Sequence, residues 1–334
     1  MSLPSFIQEV PDNGYRWWYL DAVSDDGNHA LTVIVFIGSV FSPYYAWARK
    51  RGAANAQQYC SINVVLYGKP SRWCMTERTA ASMQLSPEAL AIGRSEIRVD
   101  SGAVIIDIDE IAVPLPGRVR GRLTVALPAY EIPAFSLDNG QQGASCKHFW
   151  QPVAPKTRIS VEMESPALHW QGNAYMDSNN GEVPLESTFK SWTWSRSHAD
   201  NGDTTILYDV VSRDGHASER SLRFDSQGRK MEVEVPFRQH LESTRYFRIP
   251  RQARTEPGTV IEDLRTLEDA PFYSRSSYLE KVENPDQGSA DPDGNREHRV
   301  TIHETLDLDR FDSAWVRCML PFRMPRRTAA VRRR

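Results

Sequence analysis

Apolar residues in this chain recur with a period of two, or run together in short blocks, far more often than they follow the period of a helix. Residues 29–37 form a block of β-branched and aromatic side chains, as expected of a strand buried on both faces, and 61–67 read the same way. Residues 97–99 and 104–111 predict a hairpin across Asp100-Ser101-Gly102. In 118–126 the alternation puts Val119, Leu123 and Val125 on one face, and 158–163 alternate as well. The second half predicts strands at 204–211, 221–224, 230–235, 244–249, 274–280, 299–305 and 314–320. Asp214-Gly215, Ser226-Gln227-Gly228 and Asp293-Gly294 supply turns between them. Helical signals are confined to short pieces near 45–54 and 87–90. Many short strands with regular turns predict an all-β chain of sandwiches or barrels. Residues 284–295 read as a long hairpin loop.

A length of 334 residues is large for a single core, and the strands fall into two sets. The predicted boundary lies near Pro184-Leu185-Glu186, giving domains at 1–184 and 185–334. With 40% hydrophobic and 25% charged residues the chain is globular rather than disordered. A formal net charge of -3 gives no reason to expect nucleic-acid binding. Cys60, Cys74, Cys146 and Cys318 are scattered, without a C-x-x-C pair. That pattern argues against a zinc site and a disulfide scaffold, and fits a reducing compartment. Met1 to Phe6 lacks the charged and apolar regions of a secretory signal. The longest apolar stretch, 30–41, is interrupted by Thr32, Gly38 and Ser39 and falls well short of the roughly 20 residues that span a bilayer. The expectation is a soluble or peripheral protein. No Rossmann glycine pattern, P-loop or metal-ligand spacing is present, so neither cofactor nor metal is expected.

The chemistry concentrates in two short segments. Lys147-His148-Phe149-Trp150 is followed, after one strand, by Tyr175-Met176-Asp177-Ser178-Asn179-Asn180-Gly181. In a strand His148 and Trp150 face one side, and so do Tyr175 and Asp177. Either these pairs line one cavity, or the aromatics are core and Asp177 begins a turn before Asn179. His169-Trp170 offers a further imidazole, to the site or to the domain junction. In Gly14-Tyr15-Arg16-Trp17-Trp18-Tyr19-Leu20-Asp21, Trp17 and Trp18 point to opposite faces of a strand. Phe41-Ser42-Pro43-Tyr44-Tyr45-Ala46-Trp47 is an aromatic loop that either folds over an apolar ligand or caps a barrel end. Arg323, Arg326, Arg327, Arg332, Arg333 and Arg334 give a basic C-terminus, read either as a solvated tail or as attraction to anionic lipid headgroups.

These residues carry a resemblance. The Gly14–Asp21 motif, Phe36-Ile37-Gly38-Ser39-Val40-Phe41-Ser42-Pro43-Tyr44-Tyr45, the Tyr175-Met176-Asp177-Ser178-Asn179 motif and Trp192-Thr193-Trp194-Ser195-Arg196 are similar to those of the acyclic carotenoid 1,2-hydratases (hydroxyneurosporene synthases) of phototrophic bacteria. The resemblance covers residues 14–322. It implies two lipocalin-like β domains packed together with a site near their junction. It also implies cofactor-free addition of water to the terminal C1–C2 double bond of an acyclic carotene of the neurosporene or lycopene type. The family's catalytic group falls here on His148, Trp150, Tyr175 and Asp177, with Trp17, Trp18, Tyr44, Tyr45 and His169 as expected substrate contacts. Asp177 is the expected acid, which requires its pKa to rise above the reference of about 3.9. His148 is expected to handle the water, and the two aromatic rings to face the cation. The expected setting is cytoplasmic, peripherally bound to the inner photosynthetic membrane. Two other classes remain open: a lipocalin-like carotenoid or lipid carrier, and a polyene cyclase of the same superfamily, in which His commonly stands where this chain has Ser178.

Overall fold

The computed structural model describes residues 5–138, 146–199, 201–225, 227–283 and 296–329. The loop expected at 284–295, with its Asp293-Gly294 turn, and Arg332 to Arg334 lie outside the described residues, as does Ser226. The chain divides into two compact units: residues 1–185 with 317–334, and residues 186–316. Residues 317–334, assigned to the second half from sequence, thus group with the first.

Each unit is built on one main, mostly antiparallel sheet, as the all-β lipocalin-like reading expects. In the first unit, neighbouring strands run Cys60–Tyr67, Ala30–Ile37, Tyr15–Ser24, Ala167–Gly181, His148–Ser165, Arg118–Ala126, Ala103–Ile111, Ser95–Asp100 and Ala89–Ile92. One face of this sheet carries the hydrophobic core: Trp18, Leu20, Val33, Val35, Ile62, Val64, Ile106, Leu123, Val161 and Met176 belong to it. Alternation explains the membership, since each strand sends every second side chain to that face. The hairpin at Asp100-Ser101-Gly102 forms as read, with Ser101 at φ 49° and Gly102 at φ 79° closing the turn.

The second unit orders its main sheet as Lys230–Glu232, Ala217–Phe224, Thr204–Ser212, Phe189–Ala199, Arg296–Asp307, Tyr273–Glu283 and Val260–Asp269. A separate hairpin pairs Phe237–Leu241 with Arg251–Thr255.

Three local expectations are corrected. Residues 314–320 are not a strand: Ala314–Met319 is a helix continued by the 3-10 turn Leu320–Phe322. Its buried positions, Val316, Arg317 and Leu320, follow helical spacing that a run of apolar residues disguises. Residues 244–249 form a closed loop, because Arg248 takes φ 52° and the Thr244 hydroxyl accepts from the Ile249 N–H. The piece at 87–90 is no helix. Ser86 and Ala89 close a turn that leads into the strand Ala89–Ile92. The helix expected near 45–54 is present as Pro43–Arg49, with Ser42 as its N-cap.

Candidate active site

The strand Ala167–Gly181 runs unbroken between Tyr15–Ser24 and His148–Ser165. Asn179 and Asn180 therefore continue the ladder and do not open a turn. Tyr175, Asp177, Asn179 and Gly181 alternate onto one face, opposite Asp21, Tyr19, Trp17 and Tyr15. On the other flank Trp150 stands opposite Asn179, and His148 opposite Gly181. A register shift between Pro152 and Ala154 marks where that flank departs from regular pairing.

This face gathers His148, Trp150, Tyr175 and Asp177, all buried. The Tyr175 hydroxyl donates to Asp177 Oδ2 at 2.7 Å, and Trp150 Nε1 donates to the same oxygen at 2.9 Å. Asn179 Nδ2 donates to Oδ1 at 3.1 Å. Three neutral donors on the sheet thus orient the carboxyl. Burial, then the Asp177 charge, push the Tyr175 phenol well above its ordinary range, so it stays a neutral donor at any working pH. The Trp150 indole meets Phe135 at 5.6 Å between centroids, and Tyr19 meets Tyr175 edge-on at 6.1 Å.

His148 belongs to a second pair. Its Nδ1 lies 2.8 Å from the Tyr15 hydroxyl, whose ring stacks on Trp17 at 4.9 Å. Its backbone N–H donates to Asp138 Oδ1 at 3.0 Å. Burial lowers the imidazole pKa to about 4, leaving a neutral base near pH 7. Gly181 leaves room for this pair. A Cβ there would lie 2.5 Å from the Tyr15 ring and 2.7 Å from His148 Nδ1.

The other residues singled out from sequence are dispersed. Trp17 shares the face of Asp177, whereas Trp18 enters the hydrophobic core and packs on Phe6 at 4.9 Å. Tyr45 is also core: it stacks on Tyr59 and donates its hydroxyl to Gly14 O at 2.7 Å. Tyr44 meets Trp47 edge-on. His169 sits opposite Glu162, eight residues along the strand from Asp177, roughly 26 Å at a strand's rise per residue. Tyr15, Asn179, Asp138 and Gly181 were not singled out as site residues. The period-two continuation Tyr175-x-Asp177-x-Asn179-x-Gly181 was the signal for two of them. Arg326, expected in a tail, is tied down instead. Arg326–Arg327 pairs with Glu77–Arg78, and the Arg326 guanidinium binds buried Glu77 at 2.7 Å and lies over the Tyr59 ring. Burial pushes the Glu77 carboxyl up to about 7. Among the described residues no group of three or more His, Cys, Asp or Glu is arranged to hold a metal ion.

Comparison with known proteins bears on this geometry. The chain is 46% identical over 324 residues to the acyclic carotenoid 1,2-hydratase of Thiocapsa roseopersicina, covering 97% of this chain and 76% of that protein. It is 42% identical over 327 residues to the enzyme of the same name from Rubrivivax gelatinosus, with the same coverage. Among solved structures, a putative AttH from Nitrosomonas europaea aligns over 91% of this chain and 99% of its own at 13% identity and a TM-score of 0.49. CghA aligns over 91% and 94% at 11% identity and a TM-score of 0.49. The family model for carotenoid hydratase CrtC matches residues 33–333, and the chain belongs to that family.

Proposed function

We propose that this protein is a cofactor-independent hydratase that adds water across the terminal C1–C2 double bond of an acyclic carotene. The observation that supports it most directly is the Asp177 carboxyl, buried and oriented by Tyr175, Trp150 and Asn179 on one aromatic face. The names of the relatives point to the same substrate class.

An isolated trisubstituted alkene offers no polar handle, so hydration starts with a proton. Protonated Asp177 delivers its proton to C2, and the C1–C2 π electrons form the new C–H bond. A tertiary cation is left at C1. The three donors stabilise the carboxylate that is left once the proton has gone. The cation then sits beside an anion and the aromatic rings, which contribute about 2 kcal/mol or more when desolvated. Water attacks C1 and passes a proton to neutral His148, whose orientation the Tyr15 hydroxyl fixes. That proton returns to Asp177, directly or through water, and the cycle closes. Trp150 has two duties in this scheme: its N–H aims the acid, and its ring faces the cation.

Carotenes dissolve in bilayers, so the enzyme acts from a membrane surface. No helix among the described residues is long and apolar enough to cross a membrane. Incubation with lycopene or neurosporene in 18O-labelled water decides the reading. The expected product is heavier by one labelled water. An isomer of the substrate without added oxygen identifies a cyclase, and bound but unchanged carotene identifies a carrier.

A further inference from the structure

The helix Ala314–Met319 and the turn Leu320–Phe322 bury Val316, Arg317 and Leu320. Trp315, Cys318, Met319 and Phe322 face outward at helical spacing, with Trp315 51% and Phe322 79% exposed. The next residue, Arg323, lies over the Trp73 ring at 4.5 Å. The loop at 112–117 leans on the same tryptophan: the Val113 N–H donates to the Trp73 carbonyl at 2.9 Å. That loop carries Leu115, 83% exposed between Pro114 and Pro116. Leu115 and Phe322 are thus two apolar projections on segments that both meet Trp73. Exposed apolar groups gathered in this way mark a surface that meets something.

Charge argues for what it meets. From Ser313 to the end at Arg334 the sequence holds seven arginines and no Asp or Glu. Arg317 is buried and Arg326 is committed to Glu77, but Arg323, next to Phe322, is exposed, as is Arg327. Apolar tips with a cationic rim fit the boundary of an anionic bilayer, where side chains such as Phe and Leu reach the acyl region and guanidinium groups meet phosphates. We propose that the face formed by Leu115, Met319, Phe322 and Arg323 docks the protein on an anionic lipid surface. The proposal deepens the carotene reading, because a bilayer-dissolved substrate is reached from such a surface. It replaces Arg326, which the fold has already used, as a docking group.

The full chain and a Leu115→Ser/Phe322→Ser double variant are sedimented, without carotene, with phosphatidylcholine vesicles and with mixed phosphatidylcholine–phosphatidylglycerol vesicles. Both positions are exposed, so the variant keeps its far-UV spectrum. The expected result is wild-type binding that prefers the mixed vesicles and weakens with salt, and variant binding reduced on the order of tenfold or more. Equal binding of wild type and variant, or no binding by either, overturns the proposal. So does a wild-type dimer in solution that the double variant dissociates, because a second copy then covers the face. Hydration of detergent-dispersed carotene is measured in parallel and is expected to be unchanged in the variant. Failure of wild type to hydrate there overturns the hydratase reading, while the sedimentation result still decides docking.

Discussion

The two faces of one pair of strands make the most instructive contrast in this molecule. Along Tyr15–Ser24 and Ala167–Gly181, one face carries Trp18, Leu20, Ala22, Ala174 and Met176 into the hydrophobic core. The other carries Tyr15, Trp17, Tyr19, Tyr175, Asp177 and Asn179, also buried, with Tyr15, Tyr175, Asp177 and Asn179 hydrogen-bonded. Both faces are aromatic and both exclude solvent, so burial alone does not distinguish scaffold from site. The difference is the alternation of a polar edge with a ring. A buried polar group must be satisfied, and each partner it takes fixes its direction. The core face therefore sets stability, and the polar face, on the proposed reading, sets the direction in which a proton is offered.

The largest expected effect comes from Asp177→Asn. It keeps the shape but removes the acidic proton, so hydration falls by about 10²–10⁴-fold, while urea denaturation shows a cooperative fold. A variant with near wild-type turnover takes Asp177 out of the mechanism.

A cross-face pair sharpens the contrast next. Trp18→Ala opens a cavity in the core and is expected to cost about 3–5 kcal/mol of stability. Trp17→Ala sits on the site face and is expected to cost less stability but more of the activity measured well below each variant's melting temperature. Reversal of that ranking would falsify the division of labour.

Gly181→Ala tests how closely the site face is packed. The added methyl meets the Tyr15 ring and His148, and overpacking costs about 1–3 kcal/mol. Activity is expected to fall further than Tyr15→Phe lowers it, since the glycine change displaces both members of the pair. Full activity in Gly181→Ala contradicts the placement of His148.

The smallest effect is in pH. Burial holds His148 at about 4 in the fold against an unfolded value near 6.5. Its contribution to stability is complete above pH 6.5 and is lost as pH falls through about 4, because the unfolded chain takes up the proton first. The neutral imidazole is likewise lost below about 4. Replacement of His148 by Gln is expected to flatten the stability change over this window, as urea titrations at several pH values will show. A wild-type slope retained in that variant assigns the window to His303, also held at about 4 by burial.

Much of this was legible in the chain. Alternation gave the strands, and the i, i+2 spacing of His148 with Trp150 and of Tyr175 with Asp177 put each pair on one face. The resemblance to carotenoid hydratases supplied the grouping of the two pairs. What spacing left open was whether Asp177 starts a turn, and the unbroken ladder to Gly181 answers it. Apolar content misled at 314–320, where a helix with one exposed apolar face reads like a strand. Tyr44-Tyr45 looked like a ligand loop, yet Ser42 caps a helix there and Tyr45 turns into the core.

The sequence by itself determined the all-β class, the face each strand residue takes and the residue types of the candidate site, because strand periodicity is a local property of the backbone. Only the tertiary structure decided that Tyr15 reaches His148 across 133 positions of sequence, that Asn179 holds Asp177, and that Arg326 belongs to Glu77. Those contacts depend on which strands become neighbours and in what register, and register is fixed by the packing of the whole sheet on its core.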